Sequence, residues 1–126
     1  MEESPPFCYI LKMAKLSFSG AAQEVTGSCF LLASDSTKIL IDCGMFQGSR
    51  FNEKKTREPF PFDPASIDAL FLTHAHIDHS GRIPKLVKEG FRGKIYSSHA
   101  TRELAELMLK YSNGVLEKEA KRESEE

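Results

Sequence analysis

The segment Thr73-His74-Ala75-His76-Ile77-Asp78-His79-Ser80-Gly81 places three of the chain's four histidines and one aspartate in the pattern H-x-H-x-D-H. From the chain's own His and Asp frequencies, a chance match is roughly a one-in-several-thousand event. His74 and His76 stand two apart at the end of an extended stretch, so their side chains project to the same side. Two imidazoles converging there can hold one divalent ion at about 2.0–2.1 Å per Zn–N bond. Asp78 and His79 follow where the chain turns into a helix, and adjacent residues in a turn can point toward a second position. Four donors of this borderline softness favour zinc over magnesium or calcium, which take oxygen cages. Read as a solvated polar loop, the same residues would crowd four polar groups together without structural benefit.

Outward from the motif, Ile67–Thr73 carries the apolar run ALFL between turn signals, which suits a strand buried on both faces. Ser80 is a candidate N-cap for a helix over Gly81–Glu89, with Pro84 in its tolerant first turn and Gly90 closing it. KIYS at Lys94–Ser97 predicts another strand. A last helix from about Thr101 shows Leu104, Leu107, Met108 and Tyr111 at i, i+3, i+4, i+7, a stripe that reads as core packing, and Asn113-Gly114 is its expected break. Upstream, Lys15–Gly20, Ser28–Ala33 and Lys38–Ile41 read as three short strands joined by turns, an antiparallel start to a sheet. Gly44 to Pro64 reads as loop, with Pro59, Pro61 and Pro64 blocking regular structure. Strands first, then strand–helix alternation, make the fold class α/β, a layered sandwich.

Two further residues bear on the motif. Asp42 ends the KILI strand, and a carboxylate there commonly orients a metal ligand by accepting its second N–H; an ordinary turn aspartate is the other reading. His99, the fourth histidine, follows a strand and reads as a partly exposed loop imidazole more readily than as another ligand.

Composition narrows the class. The chain has 126 residues, enough for one modest domain and too few for two. With 40% hydrophobic and 28% charged residues, it is neither collagenous nor wholly disordered, and no apolar run is long enough to cross a membrane. Seventeen Lys and Arg against 18 Asp and Glu leave a charge of −1, so there is no global basic footprint for nucleic acid, although a small basic groove would not show in that sum. Cys8, Cys29 and Cys43 are scattered and odd in number, which argues against a disulfide framework and suits buried free thiols in a reducing cytoplasm. Residues 1–12 read as a non-structural extension or an upstream start codon, 13–120 as the domain, and 121–126 as a charged tail.

Three segments together resemble the metallo-β-lactamase superfamily, and within it the RNA-processing β-CASP ribonucleases. They are Gly20-Ala21-Ala22-Gln23-Glu24-Val25-Thr26-Gly27-Ser28, Leu40-Ile41-Asp42-Cys43-Gly44-Met45-Phe46-Gln47-Gly48, and Thr73 to Gly81 followed by Arg82-Ile83-Pro84-Lys85-Leu86. The resemblance implies a four-layer αββα sandwich with a two-zinc site at one edge of its sheets. It implies that His74 and His76 bind one zinc, that Asp78 and His79 bind the other, and that Asp42 supports them from behind. It further implies a hydroxide held between two metals about 3.5–4 Å apart, attacking an RNA phosphodiester in line. Asp78 is then the candidate catalytic residue that orients the nucleophile or handles its proton.

The family completes its metal site with a further histidine, a bridging aspartate and another histidine later in the chain, and nothing after His79 here fits those roles. The expectation is therefore only the amino-terminal half of the sandwich, one metal half-site and poor activity in isolation. Two alternatives stay open. One is a small-molecule metallo-hydrolase acting on a thioester, lactone or β-lactam. The other is a non-catalytic metal-binding stub that associates with itself or is completed by missing downstream sequence through its uncovered apolar surface.

Overall fold

A computed structural model describes residues 13–125; the extension 1–12, with Cys8, and Glu126 lie outside the described residues. Five short strands form one mixed sheet in sequential order: β1 (Lys15–Phe18), β2 (Phe30–Ala33), β3 (Lys38–Ile41), β4 (Ala69–Phe71) and β5 (Lys94–Tyr96). The first three pair antiparallel, β1 and β2 through the loop 19–29 and β2 and β3 through the tight turn 34–37, and β3–β4–β5 run parallel through longer helical crossovers. Four α-helices, α1 (Arg50–Arg57), α2 (Ile77–Ser80), α3 (Ile83–Lys88) and α4 (His99–Glu125), and a 3-10 turn at Pro64–Ser66 complete the described residues.

The strand registers put Ser17, Leu31, Leu40, Leu70 and Ile95 in one row across the sheet. Leu40 and Leu70 in that row are fully buried, in a core with Ile83 and Leu86 of α3, Phe91, Ala105 of α4 and, at its border, Leu31 and Met108. The opposite face carries the row Phe18, Phe30, Ile41, Phe71 and Tyr96, and no helix covers it: Phe18 is 62% and Phe71 44% exposed. Phe71 stacks on Tyr96 at 5.0 Å between ring centroids, so these aromatics shelter one another in place of a covering layer. The ALFL strand is therefore buried on one face and not on both. An apolar run records which residues tolerate burial, not which are covered.

Three other expectations are corrected. The stretch from Gly44 to Pro64 is not all loop, because α1 forms ahead of the prolines; Ser49 caps it, its hydroxyl accepting the Asn52 N–H at 3.2 Å. The helix expected over Gly81–Glu89 is α3, shorter at both ends, and a separate turn of helix precedes it, so Ser80 closes α2 rather than capping α3; its buried hydroxyl bonds back to the Ala75 and His76 carbonyls at 3.0 Å each. Helix α4 starts at His99, capped by Ser98, and runs through Asn113-Gly114. The expected core stripe on α4 is also displaced. Leu104, Leu107 and Tyr111 are exposed, and the helix packs through Ala105 and Met108.

The one-sided sheet sets the stability of core substitutions. Leu70→Ala is expected to cost about 2–5 kcal/mol. Phe71→Ala, one residue on and facing the open side, is expected to cost less than half as much. Urea unfolding of both variants measures this, and equal losses would show that the second face is covered.

Candidate metal centre

The site lies where β3 and β4 end, the edge at which parallel strands present their carboxyl termini. Asp42, the residue after β3, is 2% exposed and takes φ = +61°, a left-handed backbone costing about 1–2 kcal/mol for a non-glycine residue. Its carboxylate returns more than that. The Thr73 N–H donates to Oδ1 at 2.8 Å, the Thr73 hydroxyl to Oδ2 at 2.8 Å, and His79 Nδ1 to Oδ2 at 2.7 Å. Hydrogen bonds to a charged group are worth about 1.5–3 kcal/mol each.

Proton bookkeeping follows from those three contacts. The carboxylate has no proton to give, so both Thr73 groups and His79 Nδ1 are donors. With its one hydroxyl proton committed to Asp42, Thr73 Oγ1 can only accept from His74 Nδ1, 2.9 Å away. Both imidazoles are thereby held as Nδ1–H tautomers that keep the Nε2 lone pair for a metal. Asp42 orients His79 directly and His74 through Thr73.

The four residues singled out in the sequence are brought together. The ring centroids of His74 and His79 are 4.0 Å apart, those of His74 and His76 4.8 Å, and His79 Nε2 lies 3.5 Å from Asp78 Oδ2. Among the described residues no three His, Cys, Asp or Glu side chains yet surround a common point. As a donor set, imidazole nitrogens with free Nε2 lone pairs beside a carboxylate fit a divalent ion of borderline softness. His99 is not part of this group. It opens α4 with its side chain 84% exposed, 3.4 Å from Glu103.

Main-chain bonds lock the loops that carry these side chains. Cys43 N–H bonds to His79 O at 2.8 Å, Met45 N–H to Ile77 O at 3.0 Å, and Ser28 N–H to Asp78 O at 2.9 Å. The Gly44 N–H closes the set on Ser28 O at 2.8 Å. The peptide after Asp78 comes so close that a Cβ on Gly44 would sit 1.6 Å from its oxygen, so residue 44 must be glycine. Gly27 likewise lies against the Phe46 ring, with no room for a side chain. Thr26 reaches the same loop, its hydroxyl accepting the Gln47 N–H at 2.9 Å.

Two residues were not assigned roles from sequence. Thr73 does carry a signal in the sequence, a hydroxyl directly before the first histidine at a strand end, but nothing local names its partner. Arg82 is buried, its Nε donating to the Gly44 carbonyl and its guanidinium 4.7 Å from the Phe46 ring centroid and 5.1 Å from that of Phe60. Its Nη2 has no hydrogen-bond partner among the described residues, so the aromatic faces carry that part of the charge. Nearby, Cys29 and Cys43 are free and fully buried, as expected for the two. The Cys43 thiol is held well above the usual thiol range by its hydrogen bond to Cys29 and then by burial.

Residues 22–122 match the family described as the metallo-beta-lactamase superfamily. The chain belongs to that superfamily. A superfamily sandwich accounts for the uncovered sheet face, since this chain contains part of the domain. Membership also implies use of a divalent metal. The chain is 53% identical over 90 residues to a ribonuclease of Thermus thermophilus, which covers 71% of this chain and 20% of that protein. It is 44% identical over 92 residues to the transcription termination factor FttA of Methanosarcina mazei, covering 71% and 14%. It is 36% identical over 95 residues to cleavage and polyadenylation specificity factor 73 of Drosophila melanogaster, covering 71% and 13%. The chain thus spans a fifth or less of the length of these relatives.

Asp42→Asn keeps a side chain that tolerates the left-handed backbone but places an amide beside donors. Zinc affinity is expected to fall about 10–100-fold with the far-UV circular dichroism unchanged. Thr73→Val, which removes the relay to His74 and one of three donors to Asp42 but leaves the His79 contact, is expected to lose less. Chelator competition measures both, and equal affinity for Asp42→Asn and wild type would refute the orienting role.

Proposed function

We propose that this chain supplies the amino-terminal half-site of a zinc-dependent ribonuclease whose complete centre holds two ions and whose substrate is RNA. The observation that carries the reading is the Asp42 network, which turns the Nε2 atoms of His74 and His79 into available ligands. The printed functions of the relatives, a ribonuclease, a termination factor and a cleavage factor, support RNA as the substrate. The Gly20–Ser28 and Asp42–Gly48 segments, which meet at the site through Thr26, Gly27 and Ser28, favour RNA over a thioester, lactone or β-lactam.

In this reading His74 and His76 hold one ion, and His79 and Asp78 the other. Bound divalent ions supply Lewis acidity toward a phosphoryl oxygen and make a water acidic enough to act near neutral pH. Asp42 stays buried and hydrogen-bonded to Thr73 and His79, holding both imidazoles in orientation whatever the substrate does. The Asp78 carboxylate has its second task here: its side chain is partly exposed beside His79, where it can accept a hydrogen bond from the attacking water and take its proton. The free Cys29 and Cys43 thiols support a reducing compartment, the cytoplasm. The open aromatic sheet face supports either self-association or cover by further sequence of the same protein. Among the described residues no helix is long and apolar enough to cross a membrane.

With added zinc, His76→Ala is expected to bind less metal than wild type, and the chain alone to cleave labelled RNA slowly or not at all. Plasma emission spectrometry and a single-turnover cleavage assay measure these outcomes. Unchanged zinc stoichiometry would refute the ligand assignment, and rapid multiple turnover would refute the half-site reading.

A further inference from the structure

Helix α1 carries four cations, Arg50, Lys54, Lys55 and Arg57, against one carboxylate, Glu53, in a chain whose net charge is −1. The helix therefore carries a local excess of positive charge. Lys55 is occupied: it pairs with Glu24 at 3.3 Å. The other lysine and arginine ion pairs among the described residues are Lys85–Glu89 and Arg102–Glu106, and neither involves α1. Arg50, Lys54 and Arg57 fall at i, i+4 and i+7, one stripe along the helix, all exposed. Helix rise spaces them over about 10 Å. With Glu53 they line a surface concavity of about 410 Å³. Phe51 stands beside the stripe, 69% exposed, with the Lys55 ammonium 5.2 Å from its ring centroid.

The helix is fastened to the metal-site loop by its opposite side. Thr56 Oγ1 accepts the Phe46 N–H at 3.0 Å and donates to the Phe46 carbonyl at 3.2 Å, and Asn52 Nδ2 donates to the Gln47 carbonyl at 3.0 Å. Met45, in that same loop, bonds to Ile77, between His76 and Asp78. Arg50 is five positions after Met45, a reach of at most about 18 Å. Side-chain anchors that leave the cationic face turned outward do not describe a helix held only for its own packing; α1 buries none of its residues. A solvated charged face would also be expected to pair its cations with carboxylates at i±4, and this one does not.

We infer that the Arg50–Lys54–Arg57 stripe of α1 is a phosphate-backbone contact for single-stranded RNA beside the metal site, with Phe51 stacking on a base. The inference rests on the ribonuclease reading for its substrate class. Exposed cations facing a polyanion release counterions, which gives the contact a measurable salt signature. An exposed aromatic adds sequence-tolerant affinity without that signature.

The test is fluorescence anisotropy of a short labelled single-stranded RNA with the whole chain over a salt series. Arg50→Gln/Lys54→Gln/Arg57→Gln keeps good helix formers and is expected to bind at least about tenfold more weakly, with the log–log salt slope reduced by about 2. Lys88→Gln/Lys110→Gln/Lys121→Gln removes the same charge elsewhere and is expected to bind like wild type. Arg50→Lys/Arg57→Lys is expected to retain binding, which separates lost charge from a lost helix. Phe51→Ala is expected to weaken binding about fivefold with the slope unchanged. Equal losses in the two glutamine triples, or none in the α1 triple, would overturn the stripe while wild-type binding left the RNA reading standing. No loss in Phe51→Ala would overturn the stacking contact. Failure of the wild-type chain to bind RNA at low salt would overturn the stripe, and in that case would count against the RNA reading as well.

Discussion

A carboxylate removed from water must find donors for its oxygens, and Asp42 finds three: the Thr73 amide, the Thr73 hydroxyl and the His79 ring. Much of the site's architecture follows from that requirement. The backbone at Asp42 turns left-handed so that the carboxylate faces the end of β4, and β3 and β4 lie side by side in parallel so that Thr73 arrives opposite it. Losing one donor would leave a buried charge undercompensated, a larger penalty than the strain at residue 42. The same bonds fix which nitrogen of each imidazole carries its proton, so the structural requirement and the ligand requirement are met by one group.

The rest of the molecule presents this edge rather than enclosing it. Its core occupies one face of the sheet, where Leu40 and Leu70 meet α3 and α4, while aromatic rows stand open on the other. The loops at the site are held from the covered side. Arg82 grips the Gly44 carbonyl from beneath two phenylalanine rings, and Gly44 lets the loop press against the Asp78 peptide. The side chains of His74, His76, Asp78 and His79 therefore rest on a main chain fixed by its own hydrogen bonds and not on cover over the open face of the sheet.

Much of this was legible in the residues. The spacing of His74, His76, Asp78 and His79 foretold a cluster because side-chain direction at a strand end follows from backbone geometry. Asp42 was legible for the same reason, being the first polar residue after KILI. What failed to show was cover and polarity. Apolar spacing on α4 pointed to Leu104, Leu107, Met108 and Tyr111, and of these only Met108 packs against the core, because the face is set by Ala105 fitting closely there. Helix α1 carries no buried residue, so periodicity had nothing to register, and only Ser49 marked its start. Thr73 and Arg82 act through hydrogen bonds to partners about thirty or more positions away, and no local pattern encodes those.

The strand order β1-β2-β3-β4-β5 has a kinetic meaning as well. No strand has to insert between two that are already paired, so the sheet can grow by adding one neighbour at a time. Hairpin contacts between β1, β2 and β3 close short loops early, and the costlier closure that docks β4 comes next. That same closure brings Thr73 to Asp42. The slow parallel pairing and the assembly of the Asp42–Thr73–His79 network are then a single event, so the site takes its shape no faster than β4 docks.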